Sequence, residues 1–209
     1  YIQHYDSPLG GILLAADELG LTGLWFDGQK YFADTLASYH EEKKLPVFAQ
    51  TKKWLDLYFR GKNPDFTPPL RLKGSEFRRK VWDILLEIPY GETMTYGEIA
   101  RKLAEEPVGG INVVGGGGDP AGDSGVTDAG AELAGDISVA DGAATTPKKV
   151  GVKRHVCAQA VGGAVGHNPI SLIVPCHRVV GADGSMTGYA GGIDKKVKLL
   201  ELEQGAGNR

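Results

Sequence analysis

Residues 168–180 read Asn-Pro-Ile-Ser-Leu-Ile-Val-Pro-Cys-His-Arg-Val-Val, and the interpretation of the whole chain starts from this stretch. The apolar run at 170–174 predicts a buried strand or extended segment that Pro175 closes. Cys176 follows with His177 beside it, and a thiol attacks as its thiolate, which a nearby imidazole can generate. Neighbours on an extended chain point in opposite directions, so contact within this pair needs a turn or a bridging water. Taken alone, the dipeptide favours a buried structural cysteine beside a surface histidine.

The residues around this stretch predict a mainly helical unit. An apolar stripe over 77–88 indicates an amphipathic helix, which Pro89-Tyr90-Gly91 stops. Thr95 and Glu98 fit a capping box, so a second helix should run to about residue 104. A partner helix is expected over about 154–165, and together these two predict a helix-turn-helix. A hairpin or wing over 181–192 and a last helix over about 194–204 complete the unit.

The first part of the chain predicts a separate α/β domain. Alternating apolar and polar positions over 1–27 predict a small antiparallel meander. Helical patterns follow near 31–42 and 49–59, and a proline-rich linker covers 61–69. We therefore predict a structural N-terminal domain at 1–72 and a second domain at 73–209.

An unusual segment interrupts the predicted helix-turn-helix at about 106–152. Between Pro107 and Pro147 it holds eleven glycines and six acidic residues, and no lysine or arginine. Such a segment buries too little apolar surface to offset chain entropy, so a flexible acidic insert is expected. A calcium site at Gly115-Gly116-Gly117-Gly118-Asp119 is a weaker alternative, because that pattern occurs once.

Composition limits the classes of protein that need to be considered. The apolar fraction of 42% suits a globular core, and no apolar stretch is long enough for a membrane span. Without a signal-peptide pattern, we expect a cytoplasmic protein in which Cys157 and Cys176 are free thiols; a disulfide between them is the less favoured alternative. The five histidines show no spacing for a zinc site, so neither metal nor cofactor is expected.

The charge balance leaves nucleic-acid binding open. The net charge is −3, but six of the 26 acidic residues lie between Pro107 and Pro147. The other 20 acidic residues face 23 lysines and arginines, a balance compatible with DNA.

The wider string closely resembles the active-site signature of the O6-alkylguanine-DNA alkyltransferases. The matching residues, in family order, are 77–91, 96–100, 160–164, 168–170, 173–180, 188–192 and 199–203. The resemblance implies a ribonuclease-H-like α/β N-terminal domain and a mainly α, winged helix-turn-helix C-terminal domain, with the Gly-rich acidic insert in its turn. It implies DNA repair by stoichiometric transfer of an alkyl group from O6-alkylguanine, with O4-alkylthymine as a second candidate substrate. Each molecule would act once.

The resemblance also implies a role for individual residues. Cys176 would accept the alkyl group, His177 would deprotonate it through a water, and Glu203 would orient that histidine. Asn168 would brace the loop that carries the nucleophile. Four further residues would act on the target base. Tyr96 would rotate the nucleotide, and Val179 and Tyr189 would line the guanine pocket. Ala190 would leave room for bulkier alkyl groups.

The implied partner is double-stranded DNA, bound by a monomer through the minor groove. The small residues Ala160, Gly162 and Gly163 would let the second helix lie close to the DNA backbone. Lys153 and Arg154 would contact phosphates. Family members commonly carry an arginine where this chain has Gln159, so we predict weaker DNA affinity.

Two other functions compete with this one. A non-catalytic binder of alkylated DNA would lack the acceptor cysteine, which this chain retains. A cysteine hydrolase would need an oxyanion site, for which the sequence has no separate signature.

Overall fold

A computed structural model describes residues 1–105 and 156–206 of the chain. The predicted insert at 106–152, together with Lys153 and Arg154, lies outside these residues. No helix in the described part is long and apolar enough to cross a membrane.

The N-terminal meander is confirmed. Strands β1 (Ile2–Ser7), β2 (Gly10–Asp17) and β3 (Gly20–Phe26) form an antiparallel sheet in sequence order. Side chains alternate between the two faces along β2. Ile12 and Leu14 lie in the main core, whereas Leu13 and Ala15 lie on the other face and pack with Trp25. The sheet therefore has apolar residues on both faces.

Helix α1 spans Pro46–Tyr58, close to the predicted 49–59, and begins with proline at its first turn. It buries Trp54, Leu55 and Tyr58 toward the core. This helix brings the N-terminal domain into contact with the residues around Cys176, as described below.

The predicted helix near 31–42 is wrong. The segment consists of turns and bends, and Tyr31 and Ala33 have positive φ values of 60° and 55°, which break a helix. Contacts with distant residues hold the segment in place. The Tyr31 ring stacks on the His167 ring, with centroids 3.8 Å apart, and the Lys30 N–H donates to the Ala190 carbonyl. Tertiary contacts therefore override the local helical pattern.

Three helices form the frame of the second domain. Helix α2 (Glu76–Leu86) begins where the Ser75 side chain accepts from the Arg78 N–H. Strand β4 (Met94–Thr95) leads into helix α3 (Tyr96–Glu105). The predicted capping box is confirmed, because Thr95 N donates to Glu98 Oε2 at 2.7 Å and Glu98 N donates to Thr95 Oγ1.

Helix α4 (Ala158–Gly166) packs against α2 and α3, and it begins later than the predicted residue 154. Cys157 lies at its N-terminus, where Sγ accepts from the Ala160 N–H. The buried Trp82 of α2 donates its indole N–H to the Ala164 carbonyl at 2.9 Å, which ties the two helices together.

The run at 170–174, predicted to be a strand or an extended segment, is buried but consists mainly of turns. Ile170 forms an isolated bridge with Leu24, and Leu172 turns the chain with a φ of 71°. A short 3-10 helix at Cys176–Arg178 then leads into strand β5 (Val179–Val180), which pairs in parallel with β4. This turn replaces the extended geometry that would have pointed Cys176 and His177 apart.

The chain ends in helix α5 (Ile193–Ala206), one residue before the predicted start and two beyond the predicted end. The predicted hairpin or wing over 181–192 is built from turns, one closed by the Gly181 N–H to the Ser185 carbonyl. A continuous apolar core joins the sheet, α1 and the helices of the second domain.

Candidate active site

Cys176 is buried, with 2% of its surface exposed, and it lies beside the buried side chain of Asn168. The Asn168 amide Nδ2 donates to Cys176 Sγ at 3.0 Å and to the Val174 carbonyl at 2.7 Å. Asn168 Oδ1 accepts from the Ile170 N–H. One side chain thus spans the turn before the cysteine and places an N–H on the sulfur.

Burial raises the pKa of the Cys176 thiol to about 11. The hydrogen bond from Asn168 and the charge of Lys196 lower this pKa, but burial outweighs them. The ammonium of Lys196 is itself buried, and burial lowers its pKa to about 8. Lys196 donates to the carbonyls of Val179 and Thr187. The thiol is therefore held neutral in the free protein and needs a base to become a nucleophile.

His177 is fully buried beside the cysteine. Its Nε2 lies 2.8 Å from Glu203 Oε1, whereas Nδ1 has no hydrogen-bond partner among the described residues. Burial lowers the pKa of His177, and the Glu203 carboxylate opposes that shift. His177 can therefore act as a base, because its imidazole is neutral and its Nδ1 is free to take a proton.

Glu203 accepts hydrogen bonds on both carboxylate oxygens. Arg178 donates to both, with Nε at 2.9 Å from Oε2 and Nη2 at 3.0 Å from Oε1, and the Gly91 N–H reaches Oε2. Burial alone would raise the pKa of Glu203, but the hydrogen bonds and charges of His177 and Arg178 outweigh burial and lower it to about 2. The carboxylate is thus fully ionised and fixed in place.

The lowered pKa of Glu203 makes the fold sensitive to acid. Because the folded value lies below the ordinary 4.5, this contribution to stability is complete above about pH 5 and is lost as the pH falls toward 2. The expected loss in the free energy of unfolding is about 3 kcal/mol. Urea unfolding of the wild type and of Glu203→Gln at several pH values measures it; equal pH dependence in the two proteins would contradict the assignment.

A cavity of about 240 Å³ opens beside α4. Its lining residues are Lys30, Tyr31, Gly162, Gly163, Gly166, Gly188, Tyr189 and Ala190. The structure therefore brings four of the predicted base and DNA residues to one opening, together with four that were not predicted as site residues. Val179 lies elsewhere, buried in β5.

Tyr96 and Tyr189 are the two tyrosines that were predicted to act on the target base, and Tyr189 lines the cavity. Burial first, and then the charge that a Cys176 thiolate would carry, raises the pKa of both phenols. The Tyr96 hydroxyl donates to the carbonyls of Thr187 and Gly188 at 3.3 and 3.4 Å. Gln159 and Ala160 lie on α4, Gln159 exposed to solvent and Ala160 partly buried.

Sequence reasoning missed three residues of the buried cluster: Tyr58, Arg178 and Lys196. The Tyr58 hydroxyl donates to Glu203 Oε1 at 2.7 Å, although it belongs to the N-terminal domain. Arg178 was seen only as part of a motif. Lys196 carried no signal, because a lysine near a helix N-terminus is normally solvated.

Two family models match this chain. The model described as 6-O-methylguanine DNA methyltransferase, ribonuclease-like domain, matches residues 1–72. The model described as 6-O-methylguanine DNA methyltransferase, DNA binding domain, matches residues 76–116 and 139–205. Both halves of the described fold are thus covered.

Individual proteins and a solved structure give the same result. A methylated-DNA–protein-cysteine methyltransferase of Haemophilus influenzae is 32% identical over 98% of this chain and 86% of its own length. One from Methanosarcina acetivorans is 36% identical over 97% of each. The crystal structure of Mycobacterium tuberculosis OGT in complex with DNA superposes with a TM-score of 0.66 at 33% identity, covering 98% of this chain and 93% of that one.

Proposed function

The chain belongs to the 6-O-methylguanine DNA methyltransferase family, and we propose that its Cys176 accepts an alkyl group from O6-alkylguanine in DNA. The activity is that of a methylated-DNA–[protein]-cysteine methyltransferase, a DNA-repair function. The observation that carries the assignment to Cys176 is its buried thiol, which receives the Asn168 N–H and lies next to the His177–Glu203 pair. Cys157, the other described cysteine, instead caps a helix.

The proposed reaction is a direct displacement at the alkyl carbon. His177 takes the proton of Cys176 on Nδ1 through a water, while its Nε2–H continues to donate to Glu203. The sulfur–carbon bond forms as the bond from that carbon to O6 breaks. Guanine leaves as its anion or after protonation. The thioether product is not hydrolysed, so the protein acts once.

The target base must leave the helical stack before it can react, because O6 lies on the base-pairing edge. We propose that α4 enters the minor groove, with Gly162 and Gly163 allowing close approach to the DNA backbone. The flipped guanine would enter the 240 Å³ cavity next to Tyr189, and Tyr96 would help to rotate the nucleotide. Turns at 181–192 would form the wing of a winged helix-turn-helix, and the protein would act as a monomer.

The exposed Gln159 provides a test of DNA affinity. Replacing Gln159 with Arg adds a cation on the face of α4 that we propose contacts DNA, so tighter binding by about 1 kcal/mol is expected. Fluorescence anisotropy on an undamaged duplex at several salt concentrations measures the change. The matched control is Gln204→Arg, which makes the same substitution, with the same change in charge, at an exposed position of α5. Equal effects of both substitutions would contradict the proposed contact.

The function is tested by counting alkyl groups. A duplex containing O6-methylguanine is incubated with the protein, and the loss of methyl from DNA and its gain by protein are measured together. We expect a single methyl group per protein molecule and then no further reaction. Binding without transfer would indicate a damage sensor, and continued turnover would indicate a hydrolase; either result would overturn the proposal.

A further inference from the structure

Tyr58 joins the N-terminal domain to the proposed proton-transfer cluster. It is the last residue of α1, is completely buried and stacks on Trp54 with ring centroids 5.1 Å apart. Its ring also meets His177 nearly edge-on, at 6.3 Å between centroids. Packing on two sides therefore fixes the position of its hydroxyl group.

The hydroxyl contacts both members of the His177–Glu203 pair. It lies 2.7 Å from Glu203 Oε1 and 3.2 Å from His177 Nε2. A phenol has one hydrogen to donate, and the shorter contact leads to an ionised carboxylate. The oxygen consequently presents only lone pairs to His177.

These contacts restrict where His177 can carry its hydrogen. Nε2 faces two acceptors, the carboxylate oxygen and the phenol oxygen, so an unprotonated Nε2 would meet lone pairs on both. The hydrogen of the neutral ring therefore belongs on Nε2. This leaves Nδ1, which has no partner among the described residues, free to accept a proton.

We propose that Tyr58 is a positioning residue for alkyl transfer, which holds His177 as the neutral imidazole with its hydrogen on Nε2. The proposal rests on the function proposed above. Tyr58 acts through Glu203 and His177 and does not touch the reacting atoms. The N-terminal domain thereby supplies a part of the proton-transfer cluster.

The Tyr58 hydroxyl also limits how far the charge of Glu203 raises the pKa of His177. Every hydrogen bond donated to the carboxylate lowers the negative potential that it exerts on the imidazole. The ionisable groups that face His177 or act on it are Tyr58 from α1, Arg178, Tyr189, and Lys196 and Glu203 from α5. Glu203 is the acidic group among them, so loss of the Tyr58 hydrogen bond leaves its charge less compensated and raises the pKa of His177.

The decisive experiment compares Tyr58→Phe with Tyr90→Phe. Tyr90 lies 6.0 Å from Tyr58 between ring centroids, and its buried hydroxyl has no hydrogen-bond partner among the described residues. Both substitutions keep the ring and remove one oxygen, but only the first removes a bond to Glu203. The rate of a single turnover on O6-methylguanine DNA is measured across pH, together with DNA affinity.

We expect Tyr58→Phe to lower the rate about tenfold near neutral pH, at unchanged DNA affinity. Because protonated His177 cannot act as a base, the loss should be largest at low pH and shrink as the pH rises. Tyr90→Phe should match the wild type. A loss of equal size at every pH would indicate a purely structural role and overturn the proposal, as would a rate equal to that of Tyr90→Phe.

A measurement on the unaltered protein keeps the proposal testable if Tyr58→Phe does not fold. Nitrogen-15 chemical shifts of the His177 ring report which nitrogen carries hydrogen. The expected form has hydrogen on Nε2, and hydrogen on Nδ1 would overturn the proposal. If the wild type binds damaged DNA but transfers no alkyl group, the proposed function fails instead, and the ring shifts still test the position of the hydrogen.

Discussion

Replacing His177 with Gln lowers the rate of alkyl transfer by about 10²–10⁴-fold, the range by which a positioned general base accelerates a reaction. A glutamine amide can still donate to Glu203, but it cannot take a proton from Cys176. Burial raises the pKa of the thiol to about 11, so few molecules carry a thiolate at neutral pH without the base. Single-turnover kinetics on O6-methylguanine DNA measure the loss.

The pH dependence of His177→Gln separates a missing base from a damaged site. Without the base, the rate should climb as the pH rises toward 11 and the thiol ionises unaided. His167→Gln is the matched control, because His167 stacks on Tyr31 outside the buried cluster. A His177→Gln rate within threefold of wild type would contradict the role of the histidine.

Replacing Glu203 with Ala lowers the free energy of unfolding by about 3–5 kcal/mol, because it leaves the Arg178 charge buried without a counterion. The hydrogen bonds that Tyr58, His177 and the Gly91 N–H make to the carboxylate are lost as well. Urea unfolding measures the change. Alkyl transfer should fall in parallel, since the orientation of His177 is lost.

The neighbouring Glu201 provides the control for this substitution. It lies on the exposed face of the same helix, so Glu201→Ala should change stability by less than about 0.5 kcal/mol. A cost below about 1 kcal/mol for Glu203→Ala would show that the buried ion pair does not stabilise the fold.

The elements with strong local signals could be predicted from the sequence. The Thr95–Glu98 capping box marks the start of α3, and the apolar stripe at 77–88 marks α2, because these patterns are read within a few residues of chain. Alternation predicts the N-terminal meander for the same reason.

Features that depend on distant contacts could not be predicted. The segment at 31–42 looked helical, but Tyr31 takes a positive φ and stacks on a residue more than a hundred positions later. The run at 170–174 is buried as predicted, yet Leu172 turns it where a strand was expected. Local propensity is a weak prior once tertiary packing opposes it.

The same limit applies to the site. The resemblance around Cys176 suggested His177, Asn168 and Glu203, and the structure pairs Asn168 with Cys176 and His177 with Glu203. Tyr58 carries no local signal, since it looks like any other aromatic residue on the buried face of α1. Only the packing of the two domains shows that its hydroxyl reaches the carboxylate.

The most direct test of the account is the location of the transferred methyl group. After reaction with O6-methylguanine DNA, the protein is digested and the peptides that contain Cys176 and Cys157 are analysed by mass spectrometry. The account predicts a methyl group on the Cys176 peptide and an unmodified Cys157 peptide. Methyl on Cys157, or an unmodified Cys176 in folded protein that has repaired the DNA, would contradict it.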